Sequence, residues 1–152
     1  MRMLSPEQIR RLHAGKPLRQ VAALPYRSLG PGTLEFLLIT TRMTRRFIVP
    51  KGWPGESGKE WKSAAREALQ EAGVVGKVDK TPCGHYLSLK RIDDSPSRIR
   101  VCVYGLRVRK ELDAWPEMAS RSRKWLRIED AMLLVDEPDL APLMLRISNT
   151  RK

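Results

Sequence analysis

Glu67, Gln70 and Glu71 fall at i, i+3 and i+4, a spacing that sets three oxygen-bearing side chains on one face if the segment is helical. Two carboxylates one turn apart suit a hard, oxygen-seeking cation such as Mg²⁺. The carboxamide beside them can still offer an oxygen, but it withdraws one negative charge. Just upstream, Pro50-Lys51-Gly52-Trp53-Pro54-Gly55 reads as a loop able to bring backbone carbonyls and a lysine to the same place. The residues alone also allow a plainer reading, in which Arg66, Glu67 and Glu71 form exposed salt bridges on a solvated helix.

The helix that must carry these groups is legible. Ser57 is a candidate N-cap and Glu60, three residues on, completes a capping box. Trp61, Ala64, Ala65, Ala68 and Ala72 form one apolar stripe at a period near 3.6 residues, and Gly73 supplies a left-handed stop. The spacing predicts a helix from Gly58 to Ala72 that packs its alanines on a sheet. At roughly 100° per residue, Glu67, Gln70 and Glu71 then face away from the stripe, toward solvent or a cleft.

Around it, Ser5-Pro6-Glu7-Gln8 starts a short helix closed by a capping box and stopped at Gly15-Lys16-Pro17. Strands are expected over Gln20–Arg27, Leu34–Arg42, Arg46–Val49, His85–Lys90, Arg98–Arg109 and Lys124–Arg127, with turns at Gly30-Pro31-Gly32 and Asp93-Asp94-Ser95-Pro96. Helices over Glu129–Val135 and from Pro138 to about Ile147 finish the chain. Strands before and after a central helix imply a mixed α/β or α+β architecture, read as one domain over residues 1–152.

Composition narrows the setting. The 152 residues carry 29 Lys and Arg against 17 Asp and Glu, a net charge of +12. Such a field gathers polyanions: nucleic acid, acidic membrane surfaces and a small anionic phosphorylated substrate all qualify, so the charge narrows only the ligand's sign. The basic residues are scattered, each cluster reads first as a solvated face, and no glycine-aromatic RNA-binding signature or C-x-x-C zinc motif accompanies them, which ranks nucleic acid last. The longest apolar run, Ala131 to Val135, is too short to span a bilayer. The N-terminus lacks the apolar core of a signal peptide, and Cys83 and Cys102 lack metal-ligand spacing, so a reducing cytoplasmic setting is expected. Oligomeric state leaves no trace in the sequence.

Gly52, thirteen residues, then Arg66-Glu67-Ala68-Leu69-Gln70-Glu71-Ala72-Gly73-Val74 resembles the Nudix box, which runs Gly, five residues, Glu, seven residues, then Arg-Glu-apolar-any-Glu-Glu-any-Gly-apolar. Gly52, Arg66, Glu67, Glu71, Gly73 and Val74 match at the right spacing. Thr40-Thr41-Arg42, Arg46 to Gly52, Trp115-Pro116-Glu117 and Lys124-Trp125-Leu126 are similar to the diphosphoinositol and diadenosine polyphosphate hydrolase branch. The resemblance implies an α/β/α sandwich around a mixed β-sheet. It implies metal-dependent hydrolysis, with Mg²⁺ or Mn²⁺, of a pyrophosphate bond in a nucleoside-diphosphate-linked or related polyphosphate compound. By the same resemblance Glu67 and Glu71 hold the metal, with Gln70 and the carbonyl of Lys51 or Gly52 as further donors. Arg66 orients the glutamates, and Arg42, Arg46 and Lys51 are the substrate-binding candidates.

Two positions depart from the box: Gly58 stands where the family has its first glutamate, and Gln70 where it has the first of the paired glutamates. Glu56 and Glu60 are the nearby acids that can be asked to stand in, although a capping Glu60 lies roughly 10 Å from Glu67 by helix rise. Glu117 is a further candidate ligand or base, with a solvated loop acid as the plainer alternative. His13, His85 and the two cysteines read as structural, and Trp53 as packing or as a base-stacking surface. A non-catalytic module of the same fold that binds an acidic ligand is the competing function, favoured by Gly58 and Gln70.

Overall fold

The computed structural model describes residues 4–92 and 94–150. Helix α1 (Pro6–His13) is capped by Ser5, whose hydroxyl accepts from the Gln8 amide at 3.2 Å. The Gln8 side chain does not close a capping box. It is buried, donates to the Arg19 carbonyl and accepts from the Arg19 amide, and so clamps α1 to the first strand.

Strands β1 (Leu18–Gly30) and β2 (Thr33–Thr40) are followed by the short β3 (Phe47–Ile48) and β4 (Lys51–Gly52). Helix α2 (Glu60–Glu67) continues into a π-helical turn, Ala68–Ala72. Then come β5 (Val74–Val78), β6 (Gly84–Ile92), β7 (Ser95–Glu111), β8 (Arg123–Arg127), α3 (Ile128–Leu134) and α4 (Leu140–Thr150). The strands form one sheet with β3-β2-β1-β7-β5 as its spine, while β4 pairs with β1, β6 with β7 and β8 with β2. β1 and β7 run parallel and the other strand pairs antiparallel, which gives the expected mixed sheet.

Alternation along the central strands divides the core into two layers, as the two-residue period of a strand demands. Val21, Ala23, Leu37, Ile39, Tyr104 and Leu106 meet Ala64, Ala68 and Ala72 of the α2 segment. Ala22, Leu24, Phe36, Leu38, Val101 and Val103 meet Ala131 of α3 and Leu140, Leu143, Met144 and Ile147 of α4. This is the α/β/α sandwich, with the alanine stripe serving as the close-packing face.

Four further expectations need correction. The central helix starts at Glu60 rather than Gly58, because Glu60 is drawn to Arg19 of β1 instead of reaching back to a cap. Ser57 accepts only from the Lys59 amide. Lys51-Gly52 is a strand, not a loop: it pairs with Ala22 and Val21, and the Pro50 carbonyl accepts from Ala23 at 3.0 Å. β5 was hidden by Gly76 and by a largely exposed face that shows no apolar alternation. The turn after β6 is tighter than expected, since Ser95 and Pro96 already pair with Ile92 and Arg91; its Asp93 lies outside the described residues.

Candidate active site

Pairing with β1 fixes Lys51 and Gly52 beside the α2 segment, and this is where the acidic groups converge. Glu67 is 1% exposed, and its carboxylate is pressed against the Cα of Gly52: a Cβ there would lie 2.8 Å from Oε2 and nearer still to Oε1. Only glycine admits the approach. Glu71 is also buried. Its Oε1 accepts from the Lys51 amide at 3.1 Å and its Oε2 is 3.7 Å from Arg121 Nη2. Burial pushes the Glu71 carboxyl up to about 7, with Glu67 and Glu117 adding to the rise and Arg121 and the Lys51 amide opposing it.

The π-helical turn shapes this corner. Gly73 ends it at φ 66°, and a Cβ there would lie 2.5 Å from Trp115 Cδ2. The carbonyls of this wide turn are taken up by the loop after β7: Glu117 N donates to Gln70 O at 3.1 Å, and Trp115 Nε1 to Glu71 O at 3.2 Å. Arg123 donates to the carbonyls of Ala72, Gly73 and Leu112, and its guanidinium stacks 3.9 Å from the Trp115 ring centroid. A remote loop is thereby fastened to the end of the helix, carrying Glu117 and Arg121 to the site.

A cleft of about 410 Å³ opens over these groups, lined by Gln20, Arg42, Ile48, Lys51, Gly52, Trp53, Glu67, Gln70, Glu71, Lys90, Glu117 and Arg121. Glu67, Gln70, Glu71, Gly52, Lys51 and Arg42 from the sequence are thus brought together. Arg42 is exposed and donates to Glu117 Oε1 at 2.7 Å; the same oxygen accepts from Arg121 Nε at 2.9 Å. Desolvation works against the Glu117 anion, but the hydrogen bonds from Arg42 and Arg121 win and hold its carboxyl below the usual range. Burial lowers the Lys51 ammonium, with Glu137 pulling the other way.

Other candidates stand apart. Arg46 pairs with Asp136 at 3.1 Å in an adjoining pocket of about 280 Å³ that shares Gln20, Ile48, Lys51 and Lys90 with the cleft. Arg66 is exposed and lies against Gly55; the guanidinium that reaches Glu71 is that of Arg121. Glu56 is exposed and Glu60 is ion-paired with Arg19, and neither lines the cleft. Gly58 is exposed at φ 76° with open space around it.

Residue reasoning missed Arg121, Lys90 and Gln20. Arg121 sat in a basic cluster that reads as a solvated face, and Lys90, 5.7 Å from the Trp53 ring centroid, carries no signal in the sequence. Glu117 is a cleft acid rather than a solvated one. His85 is exposed on β6, 3.5 Å from Arg100. Cys83 donates to the Val103 carbonyl, and burial pushes its thiol up to about 11, the inert state expected of it.

Among the described residues, no group of three or more His, Cys, Asp or Glu side chains is gathered tightly enough to hold a metal. The donor set is two buried carboxylates from one helix, a neighbouring carboxamide and the β4 carbonyls. All are oxygen donors beside a glycine that leaves room, and they fit one hard divalent cation completed by water.

No family model matches the chain. Curated relatives do. It is 35% identical over 103 residues to Nudix hydrolase 16, mitochondrial, of Arabidopsis thaliana, across 65% of this chain and 57% of that protein. It is 35% identical over 101 residues to diphosphoinositol polyphosphate phosphohydrolase 3-alpha of Homo sapiens, across 64% of this chain and 58% of that protein. The chain spans about half the length of the curated relatives it matches. Among solved structures, a C. elegans Ap4A hydrolase binary complex superposes with a TM-score of 0.63 at 22% identity, covering 88% of this chain and 96% of that one. The NUDIX domain of Shewanella oneidensis NrtR, complexed with ADP ribose, does so at 0.65 and 17%, covering 99% and 100%. At those identities the structural likeness is one of fold. Relatives by sequence, neighbours by fold, and a Gly52-to-Val74 segment that keeps the Nudix spacing around a buried pair of glutamates all agree: the chain is similar to Nudix hydrolases in sequence and has their fold.

Proposed function

We propose that the protein is a pyrophosphohydrolase that uses a divalent cation, Mg²⁺ or Mn²⁺, to hydrolyse a phosphoanhydride in a nucleoside-diphosphate-linked or related polyphosphate compound. The observation that carries this reading is the pair of buried carboxylates, Glu67 and Glu71, facing a cleft whose other charged residues are Arg42, Lys51, Lys90 and Arg121 and the single acid Glu117. An acid pair inside a basic cleft suits a phosphorylated substrate together with its cation. The chemistry such a cation supplies when bound is neutralisation of phosphate oxygens and acidification of water.

In this reading Glu67 and Glu71 hold the cation, Gln70 and the Gly52 carbonyl complete its oxygen shell, and Arg42 exchanges Glu117 for a substrate phosphate. Lys51 and, from the adjoining pocket, Arg46 add positive charge along the substrate. Arg66, against Gly55, steadies the loop that leads into the helix. The relatives named diphosphoinositol polyphosphate phosphohydrolase and Ap4A hydrolase, and the neighbour complexed with ADP ribose, support a pyrophosphate of this general kind. The proposal extends to a single domain acting in a reducing, cytoplasmic compartment, supported by one continuous sheet and by the free thiols of Cys83 and Cys102.

No third acid stands close enough to Glu67 and Glu71 to hold a metal with them among the described residues, which favours a second reading, a module that binds the same ligands without cleaving them. One screen separates the two. Nucleotide, dinucleotide and inositol pyrophosphates are offered with Mg²⁺ or Mn²⁺, released phosphate is read, and ligand binding is followed in parallel. The hydrolase reading expects turnover that is abolished in Glu71→Gln. Tight binding across the panel with no phosphate released would leave the binding module standing.

A further inference from the structure

We propose that Arg121 is a resident counter-ion of the acid pair in the cleft, permanently supplying positive charge that the site would otherwise draw from an additional divalent cation, with Glu117 as the carboxylate that holds it there. The inference rests on the reading above that Glu67 and Glu71 take a divalent cation, and it explains how a site with two departures from the family box balances its charge.

Three contacts fix the guanidinium. Nη1 donates to the Thr40 carbonyl at 3.0 Å, Nε donates to Glu117 Oε1 at 2.9 Å, and Nη2 lies 3.7 Å from Glu71 Oε2. The first anchor is itself locked, because the Thr40 amide donates to the Ser122 carbonyl and the Ser122 amide donates to the Thr40 hydroxyl, both at 3.0 Å. Arg121 is only 11% exposed, so leaving the cleft would break a half-buried hydrogen bond to the Thr40 carbonyl as well as two charge contacts. An arginine keeps its charge at every physiological pH. Glu71 is therefore held from both sides, by the Lys51 amide on Oε1 and by Arg121 on Oε2.

The charge count follows from the same groups. Gln70 removes one negative charge from the helix face; Arg121 adds one positive charge beside it, and Glu117, which accepts from both Arg121 and Arg42, leaves that group of three at a net single positive charge. A site so arranged has room for one cation but repels a second. Losing the guanidinium should then strengthen cation binding, an outcome that damage to a merely structural residue does not produce.

The test is Mn²⁺ binding, read as free Mn²⁺ by electron paramagnetic resonance, for the wild-type protein, Arg121→Gln and Arg121→Lys. Arg121→Gln is expected to bind Mn²⁺ about tenfold more tightly, the scale of one unit charge removed from a partly solvated site, and to melt at a lower temperature without metal. Arg121→Lys, which keeps the charge, is expected to stay near the wild-type affinity. Equal or weaker binding by Arg121→Gln, with binding by the wild type intact, overturns the role of Arg121 alone. No Mn²⁺ binding by any of the three removes the metal reading on which it rests. If Arg121→Gln does not fold, the wild type decides by nuclear magnetic resonance of its arginine side chains. The Arg121 Nε proton should stay protected from exchange through saturation with Mg²⁺, and loss of protection on adding Mg²⁺ overturns the proposal.

Discussion

At Glu71 two opposing influences meet, and burial prevails: its carboxyl rises to about 7 from an ordinary value of 4.5. When the folded-state value lies above the unfolded one, the native protein binds more protons between the two, and stability falls as pH rises through that window. The metal-free protein is therefore expected to lose melting temperature between about pH 4.5 and about pH 7, and saturating Mg²⁺ should reverse the loss. Glu117 acts in the other direction, since its depressed carboxyl contributes stability that disappears on acidification below the ordinary range. Melting curves across pH, with and without Mg²⁺, check this; a Glu71→Gln protein with the same slope as the wild type would assign the effect elsewhere. At Gln70, which lines the cleft beside both carboxylates, Gln70→Glu adds a negative ligand. Metal affinity should rise about tenfold, on the order of 1.4 kcal/mol, while the metal-free protein loses some stability to repulsion among three acids. Mn²⁺ titration and melting read both effects, and a change in neither would exclude Gln70 from the ligand shell.

Among the elements, the π-helical end of α2 does most to make the site. Its last carbonyls have no partner within the helix, as at any helix C-terminus, and the Trp115–Glu117 loop and Arg123 take them up. Gly73 is the hinge of this arrangement, left-handed and underneath the Trp115 ring. Gly73→Ala should strain φ and drive a methyl into the indole, costing about 1–3 kcal/mol. The same change should loosen the Glu117–Arg121 loop and weaken Mn²⁺ binding. A melting temperature within a degree or so of the wild type, with unchanged Mn²⁺ affinity, would mean that the loop does not depend on this glycine.

For the molecule as a whole, the dominant quantity is the net charge of +12. A long-range field of that sign hastens the arrival of anions and is screened beyond about 8 Å at physiological ionic strength. The apparent Michaelis constant for a pyrophosphate substrate should climb as salt is raised, with turnover nearly constant. Steady-state kinetics in a salt series check this, and a flat Michaelis constant would assign substrate capture to short-range contacts. Arg42→Ala, removing an exposed cleft arginine, should raise the Michaelis constant more than it lowers turnover. An equal fall in turnover would instead give Arg42 a part in the transition state.

The alanine stripe of α2, the alternating strands β1, β2 and β7, and the spacing of Gly52, Glu67 and Glu71 were all legible in the sequence, because each depends on a short-range period of 3.6 or 2 residues or on a contiguous motif. The cap at Ser57 was misread because Glu60 had two possible partners, and the distant one, Arg19 on β1, exists only after the sheet has formed. β4 and β5 were missed for a related reason: two residues, or a mostly exposed edge, carry no period to read, and pairing with a neighbouring strand is what makes them strands. Arg121, Lys90 and Glu117 lie 19 to 50 residues from Glu71 along the chain and enter the cleft through the β6 hairpin and the loop fastened by Trp115 and Arg123. In the sequence such residues look like any surface charge. Their burial, their partners and the charge balance around Glu71 arise from packing between segments that local patterning does not encode.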